Sequence, residues 1–132
     1  MKTLWCTVGL PLSGKTTWAK NQPYPIVNPD SIRLSIHGKR YIQMAEPLVW
    51  SVAIVMVRAL FLAGHDNVIV DATNNTRKRR DFWKSEQWTR KFVPIRTPAY
   101  KCKARAMAAN DNEIIPVIDR MVLEREPLED NE

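Results

Sequence analysis

Histidine, cysteine and glycine are all scarce in this chain of 132 residues: two, two and four copies respectively. Cys6 and Cys102 have neither the number nor the spacing of a disulfide framework or a zinc site, and both read as reduced, buried thiols. His37 and His65 have no partner at ligand spacing, which leaves them structural or surface residues. Four glycines exclude a low-complexity linker, and no internal repeat is present. Met1-Lys2-Thr3 leads directly into an apolar run, so no signal peptide is expected and the protein reads as cytoplasmic. The longest apolar stretch, Pro47 to Ala63, is short for a membrane span and contains Arg58. A buried or interface helix is expected there, with no membrane partner and a homo-oligomer as one use of the surface.

Acidic residues are also unevenly scarce. Residues 124–132 hold five acids and one base. The remaining 123 residues carry 19 bases and 9 acids, a net +10. Such a body attracts polyanions; a solubilising surface is the alternative.

The pattern of apolar runs and breakers predicts strands at 4–8, 26–27, 67–70 and 91–96. Helices are expected at 15–21, 29–36, 47–63, 76–89, 98–109 and from Pro116 onward. Asn28 with Pro29, and Thr76, have the chemistry of helix starts; Gly38 and Gly64 sit at helix ends. Strands alternating with helices imply an α/β, three-layer fold: a mostly parallel sheet of four or five strands with helices on both faces. One domain over 1–126 is expected, with 98–116 as a helix plus lid. Residues 127–132 form an acidic tail expected to fray.

Gly9-Leu10-Pro11-Leu12-Ser13-Gly14-Lys15-Thr16 fits G-x-x-x-x-G-K-[ST], placed between a predicted strand and a predicted helix. Glycines let the backbone wrap phosphate oxygens and aim N–H groups inward. Lys15 brings charge to the β- and γ-phosphates, and the Thr16 hydroxyl can ligate Mg²⁺. Residues 9–16 with Thr17 are therefore the candidate site for ATP or another nucleoside triphosphate with Mg²⁺. Leu12 stands where small residues are common, which crowds the loop.

Asp30 and Arg33 share a face of the second predicted helix. A carboxylate near a helix start stays ionised and can take a proton from an attacking hydroxyl. Arg33 can orient it or neutralise the transferred group; a helix-start ion pair is the bland alternative. Asp71, at a strand end beside Ala72-Thr73-Asn74, can hold Mg²⁺ or simply form a turn. Arg77-Lys78-Arg79-Arg80 opposes the dipole at the start of its helix, which suits polyanion binding or a solvated face. Lys101, Lys103 and Arg105 precede the breaker Asn110-Asp111-Asn112, where a mobile arginine can stabilise transition-state charge. Trp5, Trp18 and Trp50 read as packing residues. Trp83 and Trp88 follow the basic cluster on the same predicted helix, where base stacking is conceivable.

Taken together, the chain resembles the kinase domain of the bacteriophage polynucleotide 5′-hydroxyl kinase family, within the wider P-loop kinase-like group. The shared landmarks are Thr7-Val8-Gly9, Ser13 to Ala19, Asn28-x-Asp30-x-x-Arg33, Asp71-x-Thr73-Asn74 with Arg79-Arg80, and Pro116 with Arg120-Met121. They span the chain to about residue 126. The resemblance implies transfer of the ATP γ-phosphoryl group to the 5′-hydroxyl of DNA or RNA, and a place in nucleic acid repair. It assigns Asp30 as general base, Arg33 as its substrate-side partner, Asp71 as an essential acid, and Lys15 and Thr16 to phosphates and Mg²⁺. Arg105 falls near the lid, while Ala109 stands where a second lid arginine is usual. Leu12 replaces a usual glycine, and Pro29 a usual arginine. Thr73, Asn74, Arg77, Arg79 and Arg80 join Asp30 and Arg33 as candidate substrate contacts. Work on 3′ ends is expected to fall to a separate phosphatase or ligase. Two other readings fit the same phosphate loop. One is a kinase of a small metabolite or nucleoside; the other is a nucleotide-binding regulatory module with weak transfer activity.

Overall fold

A computed structural model describes residues 1–132. Strand β1 (Thr3–Val8) leads into helix α1 (Lys15–Lys20), then β2 (Ile26–Val27) and α2 (Pro29–His37). A 3-10 turn at Gln43–Ala45 precedes the long α3 (Glu46–Leu62). Next come β3 (Asn67–Val70), α4 (Arg77–Asp81), β4 (Thr89–Pro94), α5 (Ala99–Ala108) and α6 (Ile114–Glu124). The four strands form one wholly parallel sheet in the order β2-β3-β1-β4, with helices on both faces. The order doubles back around β1 and β3, and the ends of those two strands frame the site.

Register explains the core. Leu4 and Cys6 of β1 pair with Val68 and Val70 of β3, and Cys6 also pairs with Phe92 of β4. Paired residues share a face of the sheet. That face is covered by α3, whose Val49, Ala53, Val57 and Phe61 recur every fourth position and are all buried. Segment Gln43–Leu62 is long and apolar enough to cross a bilayer by composition, with a mean hydropathy of 1.8. In this fold its buried stripe belongs to the core, and Leu48, Val52, Val55 and Leu62 stay exposed on its other side. A smaller cluster of Leu10, Cys102 and Ile118 seats α5 and α6 against the phosphate loop. Both cysteines are free and buried, and burial pushes the Cys6 thiol up to about 12.

Caps behave as their chemistry requires. The Asn28 side chain accepts from the N–H groups of Asp30 and Ser31, with Pro29 in the first turn, and Gly38 closes α2 at φ 70°. Other boundaries differ from expectation. The helix capped by Thr76 ends at Asp81, not near Thr89. Trp83 and Trp88 are both buried in the main core. On one helix, residues five apart point about 140° away from each other, so they could not share it. The chain instead turns after Phe82. The Trp88 indole N–H donates to the Trp83 carbonyl (2.9 Å), and its ring stacks on Phe61. Base stacking by either tryptophan is thereby excluded. Strand β4 starts two residues early, pairing Thr89 with Thr3. Helix α6 starts at Ile114, with Pro116 inside its first turn, where a missing N–H is harmless.

The expectation of a frayed tail is also corrected. The Glu132 carboxylate, about 1 % exposed, accepts from Arg80 Nε and Nη2, and Arg80 is fully buried. The same guanidinium donates to the carbonyls of Asn74, Glu126 and Pro127. Five acceptor contacts on one arginine are enough to order a segment with little apolar surface of its own.

Candidate active site

The phosphate loop leaves β1 and opens α1, and its shape depends on specific residues. A Cβ on Gly9 would lie 2.8 Å from both the Ile95 carbonyl oxygen and Ser13 Oγ, so no larger residue fits there. Gly14 is left-handed at φ 107°, and so is Leu12 at φ 63°. For leucine that conformation is strained. Two contacts hold the strained carbonyls: Arg105 donates to Leu12 O (2.8 Å), and Thr97 Oγ1 to Ser13 O (2.7 Å). Residues Pro11 to Thr17 line a cleft of about 1360 Å³. Gly9 and Leu10 do not line it; Leu10 is core, and Gly9 sets the turn.

Lys15 is buried, and its only hydrogen bond is from Nζ to the Leu10 carbonyl (2.6 Å). Burial pulls its pKa below the ordinary lysine range, against the raising fields of Asp71 and Asp30. Ser13 Oγ is buried with no partner at all. A buried hydroxyl without a bond and a desolvated ammonium held only by a loop carbonyl are groups that an anion would satisfy. The loop therefore fits a polyphosphate.

Asp71, just past β3 and 4 % exposed, faces the start of α1. Its Oδ2 accepts from Thr16 Oγ1 (2.7 Å) and from Asn28 Nδ2 (3.1 Å). No cluster of three or more acidic, histidine or cysteine ligands exists. One hydroxyl and one carboxylate suit Mg²⁺, which takes few protein ligands and completes its shell with phosphate and water. Asn28 ties the site together: one end of its amide caps the helix carrying Asp30, and the other holds Asp71. Its chemistry as a cap was legible in the sequence; its bond to Asp71 was not.

Asp30 sits one turn before Arg33, which donates to its Oδ1 at 2.7 Å. Asp30 is largely exposed, at 74 %, open to an incoming group. Arg33 is also gripped by Glu46, the first residue of α3, through a fork of Nε–Oε2 (2.9 Å) and Nη2–Oε1 (2.7 Å). Burial opposes the Arg33 charge, but the bonds to Glu46 and Asp30 outweigh it and hold the guanidinium above its ordinary value. Lys15 and Asp30 line the same cleft. Nothing short-range linked Glu46 to Arg33; the only signal was an acid directly before Pro47 at a helix start.

The basic turn of α4 divides. Arg79 lines the cleft, its guanidinium 3.7 Å from the centroid of the Trp50 ring, so Trp50 is a wall of the site as well as a packing residue. Arg77 turns away to Asp81, Glu129 and Asn131. Arg80 is buried beneath the tail. Neither reaches the cleft, which corrects their placement as substrate contacts. Asn74 is corrected as well. It is buried and left-handed (φ 43°), donating to Thr7 O (2.8 Å) and accepting from the Trp83 indole (3.0 Å). Thr73 lines the cleft, while its carbonyl accepts from Gly9 N.

On the lid side Arg105 and Arg120 line the cleft, and Lys103 is engaged by Asp119 at 2.7 Å. A forked ion pair between Arg40 and Asp111 joins the link after α2 to the break between α5 and α6. His37 accepts from Lys39 N through Nδ1 and takes no part in the site.

A family profile described as "AAA domain" matches residues 4–124. No curated protein matches the sequence. Among solved structures, the chain is similar to one chain of a Pnkp1/Rnl/Hen1 complex. The TM-score is 0.68 and the identity 26 %, covering 79 % of this chain and 38 % of that one. It is also similar in fold to a chain of the Pnkp1/Rnl/Hen1 RNA repair complex. There the TM-score is 0.73 and the identity 19 %, over 93 % of this chain and 43 % of the other. The chain thus spans about two-fifths of the length of these structural relatives.

Proposed function

This chain belongs to the AAA domain family and is a P-loop kinase-like domain, and from that premise we propose that it phosphorylates the 5′-hydroxyl of a polynucleotide. The donor is the γ-phosphoryl group of ATP or another nucleoside triphosphate. The observation that carries this reading is the placement of Lys15 and Asp30 in one cleft, with Arg33 bonded to the acid.

Asp30 takes the proton of the attacking hydroxyl. The freed oxygen forms a bond to the γ-phosphorus as the bond to the β-phosphate bridge oxygen breaks, and the nucleoside diphosphate leaves with that electron pair. Lys15 exchanges its bond to Leu10 O for phosphate oxygens. Ser13 Oγ gains its missing partner there, and Arg105, held on the Leu12 carbonyl, lines the same cleft and is the candidate to offset the transferred charge. Thr16 and Asp71 would hold Mg²⁺, which when bound neutralises phosphate charge. The mechanism depends mostly on positioning. Arg33, locked by Glu46, keeps Asp30 aimed without itself needing to move.

The volume of the cleft and its exposed cations Lys39, Arg40 and Arg120, together with the net +10 of the body, support a nucleic acid acceptor over a small neutral one. Structural likeness to chains of Pnkp1/Rnl/Hen1 complexes, one of them described as an RNA repair complex, is in keeping with the same acceptor class. In that setting separate phosphatase or ligase enzymes would handle the other strand end, and the exposed side of α3 is available to a second protein or a second copy.

The test uses γ-labelled ATP and Mg²⁺ with oligonucleotides ending in 5′-hydroxyl or 5′-phosphate, and with free nucleosides. Label is expected only in the 5′-hydroxyl oligonucleotide, and Asp30→Asn is expected to abolish it. Label in the nucleosides alone would establish the metabolite reading. Tight ATP binding with no transfer would establish a regulatory module.

A further inference from the structure

Two walls of the cleft are joined by polar contact at a single point. One is the α2–α3 side, with Asp30, Arg33 and Trp50; the other is the α5–α6 side, with Arg105 and Arg120. Arg40 Nη1 donates to Asp111 Oδ1 (2.6 Å) and Nη2 to Oδ2. No other hydrogen bond or ion pair links residues 29–46 to residues 98–124. Both partners are presented by helix ends. After α5, Asn110 is left-handed (φ 55°); its N–H donates to Met107 O (3.1 Å), and the Asp111 N–H donates to Ala106 O (2.8 Å). Those two bonds form a Schellman closure, which fixes Asp111 at the tip of the wall. After α2, Gly38 is left-handed at φ 70°, and the Lys39 N–H donates to His37 Nδ1 (3.3 Å), so the chain has turned before it reaches Arg40.

The α5–α6 wall is anchored unevenly. Its base is seated by Leu10, Cys102 and Ile118, and by the Arg105 bond to Leu12 O. The far end of α6 is held by Asn75, whose Nδ2 donates to Met121 O (2.9 Å) and whose carbonyl accepts from Glu126 N (3.0 Å). Toward the other wall, the tip at 110–113 has only the Arg40 pair. It carries two acids and no base, so it cannot neutralise a phosphate but can hold a cation. The bond to Asp111 holds the Arg40 guanidinium above its ordinary value, and the same bond is the main cause that holds the Asp111 carboxyl below its own. Both groups stay charged through neutral pH. The Arg40 side chain is nevertheless 54 % exposed, so the pair is screened by salt and adds little to folding. A weak contact of fixed geometry that alone ties two walls together is suited to opening and closing more than to holding the fold.

We propose that the Arg40–Asp111 pair closes the cleft over a bound nucleoside triphosphate, so that breaking the pair lets nucleotide leave faster while the fold stays intact. Arg40 and Asp111 are positioning residues in this role: they act on the walls and not on the reacting atoms. The pair needs only a nucleotide on residues 11–17, which is the binding half of the kinase reading, and it needs no transfer. Direct contact of Arg40 with phosphate is the competing use of the same side chain, and it carries a different sign. Asp111 would then compete with the nucleotide for Arg40, and its removal would tighten the hold on nucleotide.

The test reads nucleotide release. The full chain is loaded with Mg²⁺ and an ATP analogue carrying a fluorophore on its ribose, then mixed in stopped flow with excess unlabelled ATP. Asp111→Asn and Arg40→Gln are each expected to speed release about threefold to fivefold at low salt. Their melting temperatures should stay within about 4 °C of the wild type. The double variant should release no faster than either single one, because one contact can be lost only once. Raising KCl to about 0.5 M should shrink the difference between wild type and variants, since the pair is screened there. Unchanged release in Asp111→Asn would overturn the closure, and so would additive effects in the double variant. Slower release in Asp111→Asn with faster release in Arg40→Gln would replace it with direct phosphate contact. Faster release accompanied by a melting drop of more than about 10 °C would make the pair a fold contact and overturn the closure as well. Should label transfer fail in the kinase assay while these release rates hold, the kinase reading falls and the closure stands.

Discussion

The phosphate loop and the basic turn at residues 77–80 are both short, charged stretches at the starts of helices, yet their side chains reach their roles by different routes. In the loop, neighbours in sequence are neighbours in the site: residues 11–17 all line the cleft. In the basic turn, adjacent arginines part company. Arg79 faces the cleft over Trp50, while Arg80 is sealed beneath residues 126–132 as a structural bolt. A local backbone conformation defines the first region. The second is defined by what the remainder of the chain places on each side of it. Charge along a helix therefore says little about function until burial and counterions are known.

The largest expected effect falls on the loop. Lys15→Met should reduce phosphoryl transfer by about a hundredfold to a thousandfold. It should not lower the melting temperature, because the lysine is desolvated and bonded only to one carbonyl. A stability loss as large as the activity loss would erase the contrast between the two regions. Next comes Arg80→Ala, which strands three carbonyls and the Glu132 carboxylate. The expected cost is about 3 kcal/mol, or roughly 10 °C in thermal melts. Arg79→Ala should cost less than about 1 kcal/mol in the same assay. Equal losses for the two arginines would break the comparison outright.

A smaller effect is expected at Glu46→Gln, which removes the charged half of the Arg33 fork. The turnover number should fall about tenfold, while ATP affinity stays unchanged, since Glu46 touches the acceptor side only. Smaller still is an acid effect from the tail. Burial pushes the Glu132 carboxyl up, but its bonds to Arg80 outweigh this and hold it below its ordinary value of 4.5. The folded state then binds fewer protons than the unfolded chain in that window. Its stabilising contribution is complete above about pH 4.5 and is lost as the pH falls toward the lowered value. Acid denaturation followed by circular dichroism should show this slope in the wild type and its loss in Glu132→Gln. The weakest effect is expected at Arg40→Ala. Its pair with Asp111 is half exposed on the arginine side, so less than about 1 kcal/mol is at stake in a urea melt.

Much of the site was legible before any coordinates. The loop, the Asn28 cap with Asp30 and Arg33 one turn apart, and Asp71 at a strand end all rest on local rules of helix starts and strand ends. What escaped has a common cause. Glu46 lies thirteen positions from Arg33, Thr16 fifty-five from Asp71, and Glu132 fifty-two from Arg80. No periodicity reports such distances. The early end of α4 was hidden for the same reason, since the helical signal at 76–89 was overruled by two tryptophans that the core needed on one side.

By itself the amino-acid order determined the alternation of strands and helices, the phosphate-wrapping turn and the caps, because backbone sterics and hydrogen bonding act over four or five residues. Only the packed fold decided which of two neighbouring arginines faces the cleft, which acid steadies Arg33, and whether the tail is ordered. Those outcomes depend on burial, and burial exists only once distant segments have closed over one another.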